Sequence, residues 1–296
     1  MRPELVQASE LLRRNTPESM EQAIALLQNA VYSFSMKVCG HREDAEDTTQ
    51  DVLIRSIKYL GTIQDPNALA AWLYTVTRNR CRRIRRNSQE SQAKRLSLDE
   101  LMPDEQDMRE LLQRAERGPE QYAIHAEQQQ LLHRAVLAIP SSLRLVLVLQ
   151  DMEDLTSGQV AQILGLKEGT VRVRLHRARL AVREEMGRLL DGLAEPPERP
   201  GKSLVRRPRE CRKLFAGLSE YLDGRVESRT CEQMRAHIEA CPACIAFLED
   251  LRATVDRCRS LDVPCDADIL NRMRALITQE YMRLVGHSSV MKAAGR

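Results

Sequence analysis

The sequence predicts an all-α fold, on three observations. Aromatic residues are scarce (one Trp, six Tyr and three Phe in 296 residues), too few for a large β-sandwich or barrel. Apolar residues recur at helical spacing in block after block. The run Leu145-Val146-Leu147-Val148-Leu149 would suit a strand on composition alone, but its neighbours are helical and it reads as a buried helix.

In chain order, Ala23, Ile24, Leu26, Leu27, Ala30, Val31 and Phe34 mark one helix, and Val52, Leu53, Ile57 and Leu60 another. Gly61 to Asn67 is turn-like, and a further helix runs from about Ala68 to Arg86. A second helical block covers about 128–190, interrupted by Pro140, with Leu155-Thr156-Ser157 as a helix N-cap signal. Gly192 to Gly201, rich in proline, is the clearest linker. Beyond it come a cysteine-rich block and an amphipathic tail helix from about Ala267 to Leu284, carrying Ile269, Met273, Leu276, Ile277 and Met282. The expected organisation is 1–90, an acidic linker 91–127, 128–190, a Pro-rich linker 191–208, a compact block 209–262 and the tail 263–296.

The formal net charge of +3 predicts no strong affinity for nucleic acid, but it averages unlike parts. Arg78, Arg80, Arg82, Arg83, Arg85, Arg86, Lys94 and Arg95 face only Glu90, whereas Asp99 to Glu127 holds nine acids and three bases. Residues 155–182 form two helices around the turn Gly165-Leu166-Lys167. On the second, Val171, Leu175, Ala178 and Val182 form a stripe for burial. Arg172, Val173, His176 and Arg177 are expected outside, flanked by Arg174 and Arg179. A helix that reads the major groove needs this pattern: apolar anchoring behind, and donors for base edges and phosphates in front.

These residues also carry a resemblance. Leu155 to Gly165, followed by Glu168-Gly169-Thr170-Val171-Arg172-Val173-Arg174-Leu175-His176-Arg177-Ala178-Arg179, resembles region 4 of the extracytoplasmic-function sigma factors; Ala138-Ile139-Pro140 with Arg144 is similar to the start of that region. Asp44 to Val52 resembles the region 2 helix that grips RNA polymerase core, and Ala71-Trp72-Leu73-Tyr74-Thr75-Val76-Thr77-Arg78-Asn79 resembles the part that opens the −10 element. The resemblance covers roughly residues 20–188 and implies two DNA contacts, a −35 duplex and a melted −10 strand. It implies polymerase contacts at Asp47, Gln50 and Asp51, and strand capture by the loop Gln64 to Ala70 with Arg78, Asn79, Arg82 and Arg83. Trp72 reads as core.

His237, Cys241 and Cys244 fall at i, i+4 and i+7, so three N/S donors share one helical face, as a structural zinc ion requires. Cys211 and Cys231 both qualify as the fourth ligand. The stretch Cys211…Tyr221-Leu222-Asp223-Gly224…His237-x3-Cys241-x2-Cys244 resembles the zinc-binding anti-sigma domain, which implies Cys211 and one zinc ion. In that family the domain restrains its sigma factor, usually from a separate chain; here it is fused, and three roles stay open: an intramolecular, anti-sigma-type contact that occludes the polymerase-binding face in cis, binding of a partner, or stabilisation of the chain.

No apolar run approaches the ~18 residues of a membrane span, and Met1 to Leu5 lacks a signal-peptide pattern, so a cytoplasmic protein without membrane contact is expected. No Ser/His/Asp set or GxxxxGK[ST] loop points to catalysis, and no enzyme is expected. The rival readings are a helix-turn-helix regulator outside holoenzyme and a thiol-based zinc redox sensor, with Cys231, Cys258 and Cys265 as resolving thiols.

Overall fold

The computed structural model describes residues 2–14, 16–60, 62–63, 65–87, 125–190, 192, 218–224, 232 and 242–294. Among them the regular elements are all helical: α1 (Pro3–Arg14), α2 (Pro17–Cys39), α3 (Arg42–Leu60), α4 (Pro66–Asn87), α5 (His125–Ala138), α6 (Ser141–Leu147) running into a π-helical turn (Val148–Met152), α7 (Ser157–Leu164), α8 (Glu168–Leu190), α9 (Pro242–Arg259) and α10 (Ala267–Ala294). No described helix is long and apolar enough to cross a membrane.

The ends of these helices follow from local chemistry. Thr16 and Ser19 form a reciprocal capping box at α2, with Pro17 at the first helical position, and Gly40 closes the helix at φ 80° with its N–H on the Met36 carbonyl. Thr156 and Gln159 repeat the device at α7, as the Leu155-Thr156-Ser157 signal predicts. Gly165 ends α7 in the left-handed region (φ 66°), where a Cβ would be strained, and the Leu166 N–H reaches the Ala161 carbonyl at 2.9 Å. The stretch Leu145 to Leu149 is helical, and Val146 to Leu149 are wholly buried. The tail helix runs ten residues past its expected end at Leu284.

The chain packs as two compact units, one of residues 1–92, 153–166 and 262–296, the other of 93–152 and 167–261. In the first, α2 packs on α1, α3 and α4, with Leu27, Val31, Leu53 and Leu73 buried and the Phe34 and Tyr74 rings 4.9 Å apart. Each such side chain contributes about 1.5–3 kcal/mol by leaving water. The tail helix α10 buries Ile269, Met273 and Ile277 and lies against α2 and α3, where Gln28 Nε2 donates to the Leu270 carbonyl at 2.8 Å. The unit also contains α7, packed on α4. In the second unit α8 packs on α5, α6 and α9, with Val171, Leu175, Ala178 and Val182 buried as the periodicity predicts. Buried Arg144 there donates to the carbonyls of Leu137 and Ile139, closing the Pro140 corner.

Candidate nucleic-acid interface

In the first unit, Asp47, Gln50 and Asp51 fall at i, i+3 and i+4 on α3. Asp47 is exposed, Gln50 and Asp51 are half-buried, and Leu53 and Ile57 face the core. Asp51 is already paired, accepting from Arg55 Nε at 2.6 Å and facing Arg80 Nε at 3.2 Å. Asp47 is therefore the more open of the two acids.

The stretch expected to be a capture loop is partly helix, since α4 begins at Pro66. Asp65 caps it, its carboxylate accepting from the Asn67 and Ala68 N–H groups. Three turns on, Arg78 bonds the exposed Asn79 side chain through Nε (3.1 Å) and Nη2 (2.7 Å), and its Nη1 donates to the Ile163 carbonyl of α7. Arg82 and Arg83 continue the helix, their side chains outside the described residues. Trp72 is not core: it is half-buried and tilted against Tyr59, ring centroids 6.2 Å apart. Tyr59 is 48% exposed, so the surface carries an aromatic pair that the sparse aromatic composition hid.

On α8 of the second unit, Arg172 and Val173 are exposed, and Arg174 and Arg177 half-exposed, as expected of a reading face. His176 and Arg179 are not outside; they are 5% and 1% exposed. Arg179 forms a forked pair with Asp151 (2.8 and 2.7 Å) and reaches Asp223 with both Nη atoms (3.2 and 2.8 Å). Burial opposes its charge, but these carboxylate hydrogen bonds more than offset that and raise its pKa. His176 Nδ1 meets Ser219 Oγ at 2.9 Å. Burial, with Arg179 and Arg177 nearby, pushes its pKa down to about 4, so the ring is neutral at pH 7. One turn on, Arg183 Nε donates to Asp250 at 2.7 Å, and its guanidinium stands 4.5 Å from the Phe247 ring centroid.

Arg172, His176, Arg179 and Arg183 thus form one stripe of α8, at successive spacings of four, three and four. The last three are engaged by 218–223 and α9. Periodicity placed two of them toward solvent because partners 28 to 44 residues away leave no mark in a local window. The one sequence clue was the complementary acid in Tyr221-Leu222-Asp223-Gly224.

Cys211, Cys231, His237 and Cys241 lie outside the described residues, and Cys244 opens α9 with its side chain also outside them. Among the described residues no group of three or more His, Cys, Asp or Glu could hold a metal ion. Cys258 is fully buried, and burial pushes its thiol far up. It is thus a poor thiolate nucleophile, which corrects its expected role as a resolving thiol. Cys265 is half-exposed and hydrogen-bonds Tyr32, whose phenol burial pushes up to about 12.

Three protein families match this chain: "Sigma-70 region 2" over residues 23–90, "Sigma-70, region 4" over 129–182 and "Putative zinc-finger" over 211–244. Among individual proteins, the ECF RNA polymerase sigma factor SigE of Mycolicibacterium smegmatis is 28% identical over 171 residues, 57% of this chain and 62% of the relative. The RNA polymerase sigma factor YlaC and the ECF RNA polymerase sigma factor SigW, both of Bacillus subtilis, are 24% and 22% identical over 57% and 59% of this chain and 92% of their own lengths. A solved structure, the sigma factor RpoE in complex with the anti-sigma factor NepR from Bartonella quintana, covers 57% of this chain at 21% identity and a TM-score of 0.41.

Proposed function

Because the chain belongs to the extracytoplasmic-function sigma factors and carries a C-terminal domain of the zinc-finger family, we propose that it recruits RNA polymerase core to promoters and is restrained in cis by that domain. Asp47, with Gln50 and Asp51, meets a basic face of the polymerase. Asn79 and the arginines of α4 take the melted −10 strand, with Tyr59 and Trp72 as a stacking platform for its bases. Arg172 and Val173 reach base edges of the −35 duplex, and Arg174 and Arg177 meet its phosphates.

One observation carries the cis restraint. The polar stripe of the reading helix that continues from Arg172 is engaged by the C-terminal part of the chain, at Arg179–Asp223, His176–Ser219 and Arg183–Asp250. A long duplex laid along α8 competes with those contacts, so DNA binding and docking of 218–259 oppose each other. Tethering keeps even a weak contact effective, because the segment cannot diffuse away.

Three cysteines and one histidine (Cys211, His237, Cys241, Cys244) are the donor set of a structural zinc ion, soft thiolates with one imidazole. Such an ion would hold the start of α9 to the segment that leads into 218–223. Those are the two parts that grip α8, so zinc supports the restraint by ordering its scaffold. The proposal predicts zinc at one equivalent per chain by elemental analysis, with Cys211→Ser and Cys244→Ser each losing it.

The polymerase arm is tested by run-off transcription with purified core and by pull-down of core. Wild type is expected to yield promoter-dependent transcripts, and Asp47→Lys to lose core binding at least tenfold while retaining its helical content. A chain that binds promoter DNA but never copurifies with core would instead be a free-standing helix-turn-helix regulator.

A further inference from the structure

Glu153 is a fully buried carboxylate in the first unit. Its Oε1 accepts from Lys37 Nζ at 3.2 Å; its Oε2 accepts from Tyr74 Oη at 2.6 Å and faces Arg2 Nε at 2.7 Å. Lys37 is also wholly buried, and burial lowers its pKa against the opposing pull of Glu153. Each charge in the cluster is tolerated inside the protein because the others are there.

The position of Glu153 in the chain gives the cluster a second meaning. Lys37 and Tyr74 belong to the stretch that matches region 2, whereas Glu153 belongs to the stretch that matches region 4. It stands three residues before the Thr156 cap of α7, and the next residue, Asp154, takes a positive φ of 55°. That conformation is uncommon outside glycine, though aspartate tolerates it. The turn drives Glu153 inward and lays α7 on α4. There Gln159 Nε2 donates to Asn67 Oδ1 at 2.9 Å, and the Ile163 carbonyl takes Arg78. Asn67 and Arg78 belong to the surface assigned above to the melted strand. In this state they are occupied by α7.

This arrangement and simultaneous reading of both promoter elements exclude each other by length. The −10 and −35 elements lie about 25 base pairs apart, or ~85 Å along the duplex at ~3.4 Å per pair. From Glu153 to the start of α8 at Glu168 the chain reaches only ~37 Å, taking ~1.5 Å per residue in α7 and ~3.5 Å elsewhere. With Glu153 seated beside Tyr74, five residues from Asn79, α8 cannot arrive at the −35 element.

We propose that Glu153 is the pin of a closed state of this sigma factor, and that withdrawing it from Lys37, Tyr74 and Arg2 frees α7 and uncovers Asn67 and Arg78 for promoter DNA. The device rests on the sigma-factor reading but acts apart from the C-terminal segment on α8. It is an on-off element within the two promoter-reading regions themselves.

The test uses the full chain with a donor and an acceptor dye on noncanonical amino acids at Glu10 in α1 and Gln162 in α7, both exposed. Glu153→Gln removes the charge. The pair Lys37→Met with Glu153→Leu removes both charges and fills their place with apolar atoms, which keeps region 2 folded. Each is expected to raise the fraction of molecules with a long dye separation about tenfold, with helical circular dichroism retained. In the unmutated chain, core polymerase plus promoter DNA is expected to produce the same lengthening, a measurement that needs no variant to fold. An unchanged separation in the folded double variant, or a promoter complex that keeps the short one, overturns the pin. Run-off transcription by the unmutated chain separates the two ideas. No transcript together with lengthening in the variants refutes the sigma reading and leaves the pin standing; transcripts without lengthening refute the pin alone.

Discussion

Arg179 packs two stretches of the chain together, and the proposed restraint acts through the same side chain. Its pair with Asp151 lies wholly within the segment that matches region 4, while its contacts with Asp223 bring in the C-terminal block. Replacing Arg179 by alanine leaves Asp151 buried without a counter-charge, at a cost of about 3–5 kcal/mol; a thermal melt should show a large drop in Tm. Asp223→Ala is expected to do less to Tm and to free 218–223 from α8, seen as faster amide exchange at 219–223. His176 supplies a pH dependence of known sign. Its folded pKa of about 4 lies below its ordinary value of 6.5, so protonation favours the undocked state. The stabilisation is complete above pH ~6.5 and is lost as the pH falls toward 4. In melts at pH 7 and pH 5, His176→Gln should lose less Tm on acidification than the parent; an equal loss would show that other groups carry the effect.

At the level of elements, most of the fold was legible in the sequence because its signals are local. The buried stripe of α8, the Thr156 cap, the Gly165 stop and the helical reading of Leu145 to Leu149 each depend on residues within one or two turns. Thr156→Ala should cost about 1 kcal/mol by losing one half of the capping box, and Gly165→Val more, because a β-branched residue resists φ 66°. Both should appear in denaturant melts as lower midpoints with an unchanged slope. What the sequence hid has long-range causes. Trp72 was read as core because nothing local placed Tyr59 beside it. Glu153 resembled any acid in a helix-turn-helix lead-in, since its partners Lys37 and Tyr74 lie 116 and 79 residues away. The two halves of the helix-turn-helix, contiguous in sequence, are packed into different units.

At the scale of the whole molecule, the near-neutral net charge describes neither unit's business. The basic second half of α4 and the arginines of α8 are the charges proposed above to meet DNA, and in this state some are held by the protein's own groups: Arg78 by the Ile163 carbonyl, Arg179 by Asp223 and Arg183 by Asp250. The same chemistry that would meet phosphates and bases is satisfied internally, so the proposed function makes promoter binding an exchange of partners and not a simple addition. An exchange of this kind would make activity sensitive to anything that loosens the internal contacts, and the proposed cis restraint assigns that handle to the C-terminal block. The most direct test of cis restraint is the rate of run-off transcription by core polymerase with the full chain and with a chain ending at Leu193, on the same promoter and at equal occupancy of core. The restraint predicts a rate about tenfold higher for the shortened chain, the change that ~1.4 kcal/mol of released docking energy would give. An equal or lower rate would contradict it and make the C-terminal domain a support for transcription.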